Sequence, residues 1–228
     1  MAIAENVKLI QSRIQSACAR ANRNPAEIKL VAVSKSKPVE LIKEAIAAGI
    51  TRFGENRVQE AQTKIPLIDT PVEWHLVGTL QTNKVKRALE LFHLIQSVDS
   101  LHLAEEIQHR CEQKNITIPV LIEVNTAGEP TKHGVSPDRL AELVSAVLTL
   151  NRLQLQGLMT IGPGLAITNP EASRACFQLL SRLRAEMQER FGIALPELSM
   201  GMSADFEVGI EEGATIIRIG TALFGPRE

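Results

Sequence analysis

The chain has 228 residues, a length that suits one domain, and its 44% hydrophobic content gives an ample core. With 25 basic and 26 acidic residues the net charge is −1, so no field draws it to nucleic acid or to an anionic membrane. Aromatic residues make up only 3%, too few for a base-stacking surface, and the three scattered cysteines (Cys18, Cys111, Cys176) fit neither a disulfide framework nor a zinc site.

The N-terminus shows no apolar run behind a basic start, and no window holds eighteen uncharged apolar residues. These features predict a soluble, cytoplasmic chain. Val7, Ile10, Ile14 and the pair Ala17 and Cys18 recur at three and four residues, which predicts an amphipathic N-terminal helix. After "NRNP" the pattern changes. Eight short apolar runs follow: "IKLVAVS", "RFG", "EWHLVG", "LIQSV", "PVLIEVN", "LQGLMTI", "ELSMGM" and "TIIRIG". Between them, residues 39–48, 55–64, 83–92, 101–113, 137–148, 170–191 and 204–212 carry helical period.

Alternating strands and helices imply right-handed βαβ units with parallel strands, and runs apolar at nearly every residue imply burial on both faces. Eight such units predict a single (β/α)8 TIM-type barrel spanning residues 1–228, with one extra helix at its N-terminus. An open doubly wound sheet is the alternative.

Active sites of such barrels sit at the C-terminal ends of the strands. There the apolar runs give way to polar or small residues. The first run ends at Lys35, the second at Gly54, Glu55 and Asn56, and the third runs from His75 to Gly78. The fifth ends at Asn125, the sixth at Met159 and Thr160, the seventh at Ser199 to Gly201, and the eighth at Arg218 to Thr221. A lysine at the end of a buried strand is partly desolvated, which favours the neutral amine that attacks aldehydes. It can equally be a solvated strand end. "LSMGMSAD" and "RIGTALFG" pair glycines with hydroxyls at the loops where barrels commonly hold phosphate, although Ser203 can instead cap a helix starting at Ala204. Arg218 inside a buried strand needs a partner, either a structural one or a ligand. His75 reads as a satisfied core histidine beside Trp74 or as a site residue. No metal-ligand spacing occurs.

These motifs resemble the fold-type III pyridoxal phosphate (PLP) proteins, and within them the pyridoxal phosphate homeostasis proteins. The resemblance runs from about Leu30 to Arg227 through "AVSKSKP", "FGENRVQE", "WHLVGTLQTNK", "SVDS", "GLMTIGP" and "LSMGMSADFEVGIEEGATIIRIGTALFG". It implies a barrel like the N-terminal domain of alanine racemase, with PLP held as a Schiff base on Lys35. It further implies Arg218 at the pyridine nitrogen, Asn56 and Met159 along the ring, and Ser199, Ser203, Gly220 and Thr221 at the phosphate. His75 joins them as a candidate cofactor contact. Arg57 departs from the family, standing where many relatives carry tyrosine.

The resemblance implies a PLP carrier for vitamin B6 homeostasis, with PLP-dependent apoenzymes as possible acceptors and effects on amino-acid metabolism; no exposed heptad or apolar patch is read along the chain, so a monomer is the default. Two alternatives differ in kind. One is an amino-acid racemase using Lys35 with His75 or a cysteine; the other is a cofactor-free Schiff-base aldolase. The chain has no tyrosine to serve as a racemase's second base.

Overall fold

The computed structural model describes residues 2–129 and 132–226. Met1, Pro130, Thr131, Arg227 and Glu228 lie outside them, and with Arg227 the last residue of the resemblance. Eight strands form where eight runs predict them: β1 (Lys29–Val33), β2 (Arg52–Glu55), β3 (Glu73–Leu76), β4 (Leu94–Val98), β5 (Ile118–Glu123), β6 (Leu153–Met159), β7 (Glu197–Met202) and β8 (Ile216–Ile219). Each pairs in parallel with its sequence neighbours, and β8 closes onto β1. The sheet is therefore a closed (β/α)8 barrel rather than an open one.

The helices are α1 (Ile3–Arg20), α2 (Val39–Ala47), α3 (Val58–Lys64), α4 (Val85–Ala88), α5 (Leu101–Lys114), α6 (Leu140–Leu148), α7 (Arg174–Phe191), α8 (Phe206–Glu211) and α9 (Thr221–Phe224). None of the described helices is long and apolar enough to cross a membrane. The outer wall over the β8–β1 seam is formed by α1. Its buried face of Val7, Ile10, Ile14, Ala17 and Cys18 packs against α2, α8 and α9. Asn6 donates to the Leu223 carbonyl at 2.8 Å, and Arg13 pairs with Glu207 at 2.9 Å. The extra N-terminal helix thus completes the ring.

The helix predicted over 83–92 is the largest misreading. Only Val85–Ala88 is α-helical, because the chain turns at once to bury Leu89 and Phe92 and to enter β4.

Inside the barrel, Val31, Leu94, Leu121, Met159 and Ile216 form a small apolar cluster separate from the larger core beneath the helices. β6 and β7 approach closely at Gly157, where a Cβ would lie 1.9 Å from the Glu197 carbonyl oxygen. Gly157→Ala must push the two strands apart, and overpacking of this kind costs about 3 kcal/mol or more. A lowered midpoint in urea at unchanged slope would record it.

Candidate functional site

Strand register decides which residues meet at the C-terminal rim. Ala32 is level with Ile219 on one side and with Phe53 on the other, so the loops after β8, β1 and β2 lie side by side. Those loops carry Gly220 and Thr221, then Lys35, then Asn56. A Cβ on Gly220 would sit 3.5 Å from the Val33 carbonyl oxygen, two residues before Lys35. Gly78 lets the next loop close in, since a Cβ there would lie 2.4 Å from the Asn56 carbonyl oxygen.

Lys35 is not the last residue of β1, which ends at Val33. It occupies a turn closed by the Lys37 amide donating to the Ser34 carbonyl at 3.0 Å, with Ser36 at φ 58°. A non-glycine residue in that left-handed region needs outside support. The support comes from α3. The Lys64 ammonium donates to the Ser34 carbonyl (2.7 Å), to Glu55 Oε1 (3.0 Å) and to Glu60 Oε1 (2.5 Å). Glu60 Oε1 also accepts from the Ser36 amide at 2.5 Å, while the Ser34 hydroxyl donates to Glu55 Oε1 at 2.8 Å. Both shoulders of the Lys35 turn are thus tied to one buried lysine. Sequence reading missed Lys64; its only signal was a lysine four residues after Glu60 on the same helical face.

Below the rim lies a buried polar column. Arg218, 4% exposed, donates from Nη1 to the Ser199 hydroxyl at 2.6 Å and from Nη2 to the Thr160 carbonyl at 2.7 Å. Having accepted from arginine, Ser199 donates to Gln96 Oε1 at 2.6 Å. That leaves the Gln96 amide nitrogen to donate to His75 Nδ1 at 2.9 Å, which assigns the ring proton to Nε2, 3.9 Å from Glu73 Oε2. Burial lowers the arginine to about 10, so it stays charged at neutral pH. Burial, with Arg52, His93 and Lys29 nearby, lowers His75 to about 3 and keeps it neutral.

Two residues named from the sequence therefore take other places. His75 lines a cavity of about 300 Å³ with Lys29, Arg52, Glu73 and Glu197, residues that begin their strands, so it belongs to the N-terminal mouth. Inward residues alternate along β3, and of Glu73, His75 and Val77 only Val77 reaches the cavity at the rim. Ser199 is fully buried, its hydroxyl held between Arg218 and Gln96 rather than presented to the rim. Met159 is buried beside it, level with Ser199 on one side and Glu123 on the other.

Ser203 does not cap the following helix, which begins at Phe206. Its hydroxyl accepts from the Gly220 and Ala222 amides, each at 3.2 Å. That oxygen stands where an anion's oxygen would meet the same two donors. Gly201, at φ 90° and with no room for a Cβ against Phe206, brings the β7 loop close enough for this contact.

The rim opens on the β2–β5 side into a cavity of about 890 Å³, lined by Asn56, Arg57, Lys84, Glu123, Lys132 and His133 among others. Among the described residues no cluster of His, Cys, Asp and Glu could hold a metal.

A parallel eight-stranded barrel with a lysine after its first strand and an arginine inside its eighth places the chain in a class. The family profile described as "Alanine racemase, N-terminal domain" matches residues 2–228. A pyridoxal phosphate homeostasis protein of Aquifex aeolicus is 50% identical over 98% of each chain, and one of Pseudomonas aeruginosa is 44% identical over 99% of this chain and 96% of that one. The structure of PipY from Synechococcus elongatus PCC7942 with PLP bound superposes with a TM-score of 0.85 at 38% identity, over 98% of this chain and all of that one. The chain belongs to the pyridoxal phosphate homeostasis protein family.

Proposed function

We propose that this protein binds PLP as a Schiff base on Lys35 and takes part in PLP homeostasis, rather than running a reaction of its own. The carrying observation is the rim formed by β8, β1 and β2, which sets a lysine between a two-amide anion cradle and Asn56, with a charged arginine beneath. PLP has a phosphate, an aldehyde and a basic ring nitrogen, and this donor set answers all three. Bound there, PLP supplies an aldehyde that condenses reversibly with a primary amine.

The chain's own residues then have separate tasks. Gly220, Thr221 and Ser203 offer the phosphate its donors, with the Ser203 hydroxyl turning aside or sharing the two amides. Asn56 and Met159 border the ring. Arg218 faces the ring nitrogen as a cation, which disfavours a second proton there and weakens the electron withdrawal that carbanion chemistry needs. Ser199 and His75 act through Arg218 rather than by touching the ligand.

The same positions weaken the racemase reading. Of the side chains considered for its second base, His75 sits at the N-terminal mouth, and the cysteines lie on the outer helices α1, α5 and α7, Cys18 and Cys111 buried and Cys176 half-buried. The aldolase reading leaves the buried Arg218 without a ligand to meet. We assign the protein to the cytoplasm, as its three free cysteines suit, and regard PLP-dependent apoenzymes as its acceptors.

The test is an absorbance spectrum of the PLP-loaded protein before and after borohydride, beside Lys35→Ala. A visible band that borohydride bleaches, absent from the variant, is expected. A wild type that stays colourless with PLP added would rule the reading out.

A further inference from the structure

Glu123 ends β5 on the inward row, two residues after Leu121 of the inner apolar cluster, and is 4% exposed. Its carboxyl makes no hydrogen bond or ion pair among the described residues, yet it lines the 890 Å³ cavity. A buried carboxylate without a partner is costly, and the cost is removed by a ligand that brings a donor to it. The same cavity is lined by Arg57 and Lys84, from the loops after β2 and β3. Neither has an ion-pair partner among the described residues, whereas Lys132 is engaged by the Gly162 carbonyl at 2.7 Å and Glu129 at 3.1 Å. The lining therefore carries both signs: an acid on β5 that accepts no hydrogen bond among the described residues, and two cations from the loops after β2 and β3 without an ion-pair partner among them.

We propose that this cavity binds a small zwitterion of the α-amino-acid class, its ammonium on Glu123 and its carboxylate on Arg57 and Lys84. A carboxylate suits a guanidinium, which can meet both its oxygens at once, and an ammonium is the donor a lone carboxylate lacks. A metal ion would need more acidic or imidazole ligands than the described residues bring together. In purpose, though not in its binding chemistry, the proposal rests on the PLP reading: an amine held beside the rim is placed to meet the cofactor carried by Lys35.

Protonation of Glu123 should govern the affinity. Burial raises its pKa to about 7; Asp99, after β4, adds to the rise, and Arg218 on β8 opposes it. Arg57, Lys84, Lys132 and His133 face the same space. The ammonium needs the ionised carboxylate, so binding should tighten as pH rises through about 7.

The full chain, stripped of PLP, is titrated with L-alanine by calorimetry; without an aldehyde present the amino acid can only bind. Propionate and ethylamine, each lacking one charge, are expected to bind the wild type about tenfold more weakly or worse. Glu123→Gln, equal in shape, should lose a similar factor together with the pH dependence, and the Arg57→Gln/Lys84→Gln double variant should lose the preference for alanine over ethylamine. Absence of alanine binding to wild type, or propionate binding as tightly as alanine, would overturn the proposal without any variant having to fold. Unchanged affinity in Glu123→Gln would overturn it as well. A borohydride-sensitive band alongside absent alanine binding would remove this site and leave the PLP reading standing; the converse would keep the site and remove its link to PLP.

Discussion

Replacing Lys64 with methionine is expected to destabilise the protein by about 3–5 kcal/mol, the usual consequence of removing one partner from a buried charge cluster. Glu55 is fully buried, and its Oε2 already has no hydrogen-bond partner, so the carboxyl depends on what reaches Oε1. Lys64 and the Ser34 hydroxyl are those donors. Without the ammonium, Glu55 must ionise with the Ser34 hydroxyl alone to support it or hold a proton.

The pH dependence follows from the direction of its shift. Burial holds Glu55 above its ordinary value of 4.5, and Lys64 is the first influence opposing that rise. A carboxyl whose folded pKa exceeds its unfolded one favours the fold most in acid, and this contribution is lost as pH rises through the folded value. Removing Lys64 widens the gap. The variant's deficit in urea unfolding should therefore be smallest near pH 4.5 and largest at neutral pH. Equal deficits at both would show that Glu55 does not depend on Lys64. The Lys35 turn should loosen too, since the Ser34 carbonyl and Glu60, which accepts from the Ser36 amide, lose their common donor.

The second large effect belongs to Arg218. Arg218→Met keeps the length and apolar stem but strips the Thr160 carbonyl of its donor, at a cost of about 1–3 kcal/mol. Losing the contact proposed to the ring nitrogen should weaken PLP binding by about 10- to 100-fold, read by titrating the visible band. Arg218 is also the cation that restrains Glu123, so the carboxyl should titrate above its present value of about 7. Carbon-13 NMR of the glutamate carboxyls would follow that change in the ligand-free protein. A Glu123 that titrates unchanged would mean that burial and Asp99 alone set its pKa.

All eight strands were legible because burial on both faces leaves nearly continuous apolar runs, as in β5, where Val120, Leu121 and Ile122 are buried in succession. The rim was legible for a related reason: polar residues at the ends of such runs have few other places to go. What escaped was whatever depends on residues distant in sequence. Lys35 reads as a strand end because "SKSK" contains no glycine, whereas the positive φ at Ser36 is held by Glu60, 24 residues later. His75 follows a tryptophan on a short strand, and nothing local tells which barrel mouth its ring will face. Glu123 looks like any acid closing a strand; only the assembled cavity shows that its carboxyl accepts no hydrogen bond from the described residues.

The line from Arg218 through Ser199 and Gln96 to His75 gives the barrel's centre a single sense, every proton pointing away from the open rim. The hydroxyl, amide and imidazole each have one setting that serves both neighbours, and none can turn without stranding the next. The interior is thus less a filler between strands than an aligned stack of small dipoles with no second arrangement to visit. A substitution at the N-terminal mouth, far from the rim, will be felt at the arginine proposed to meet the cofactor.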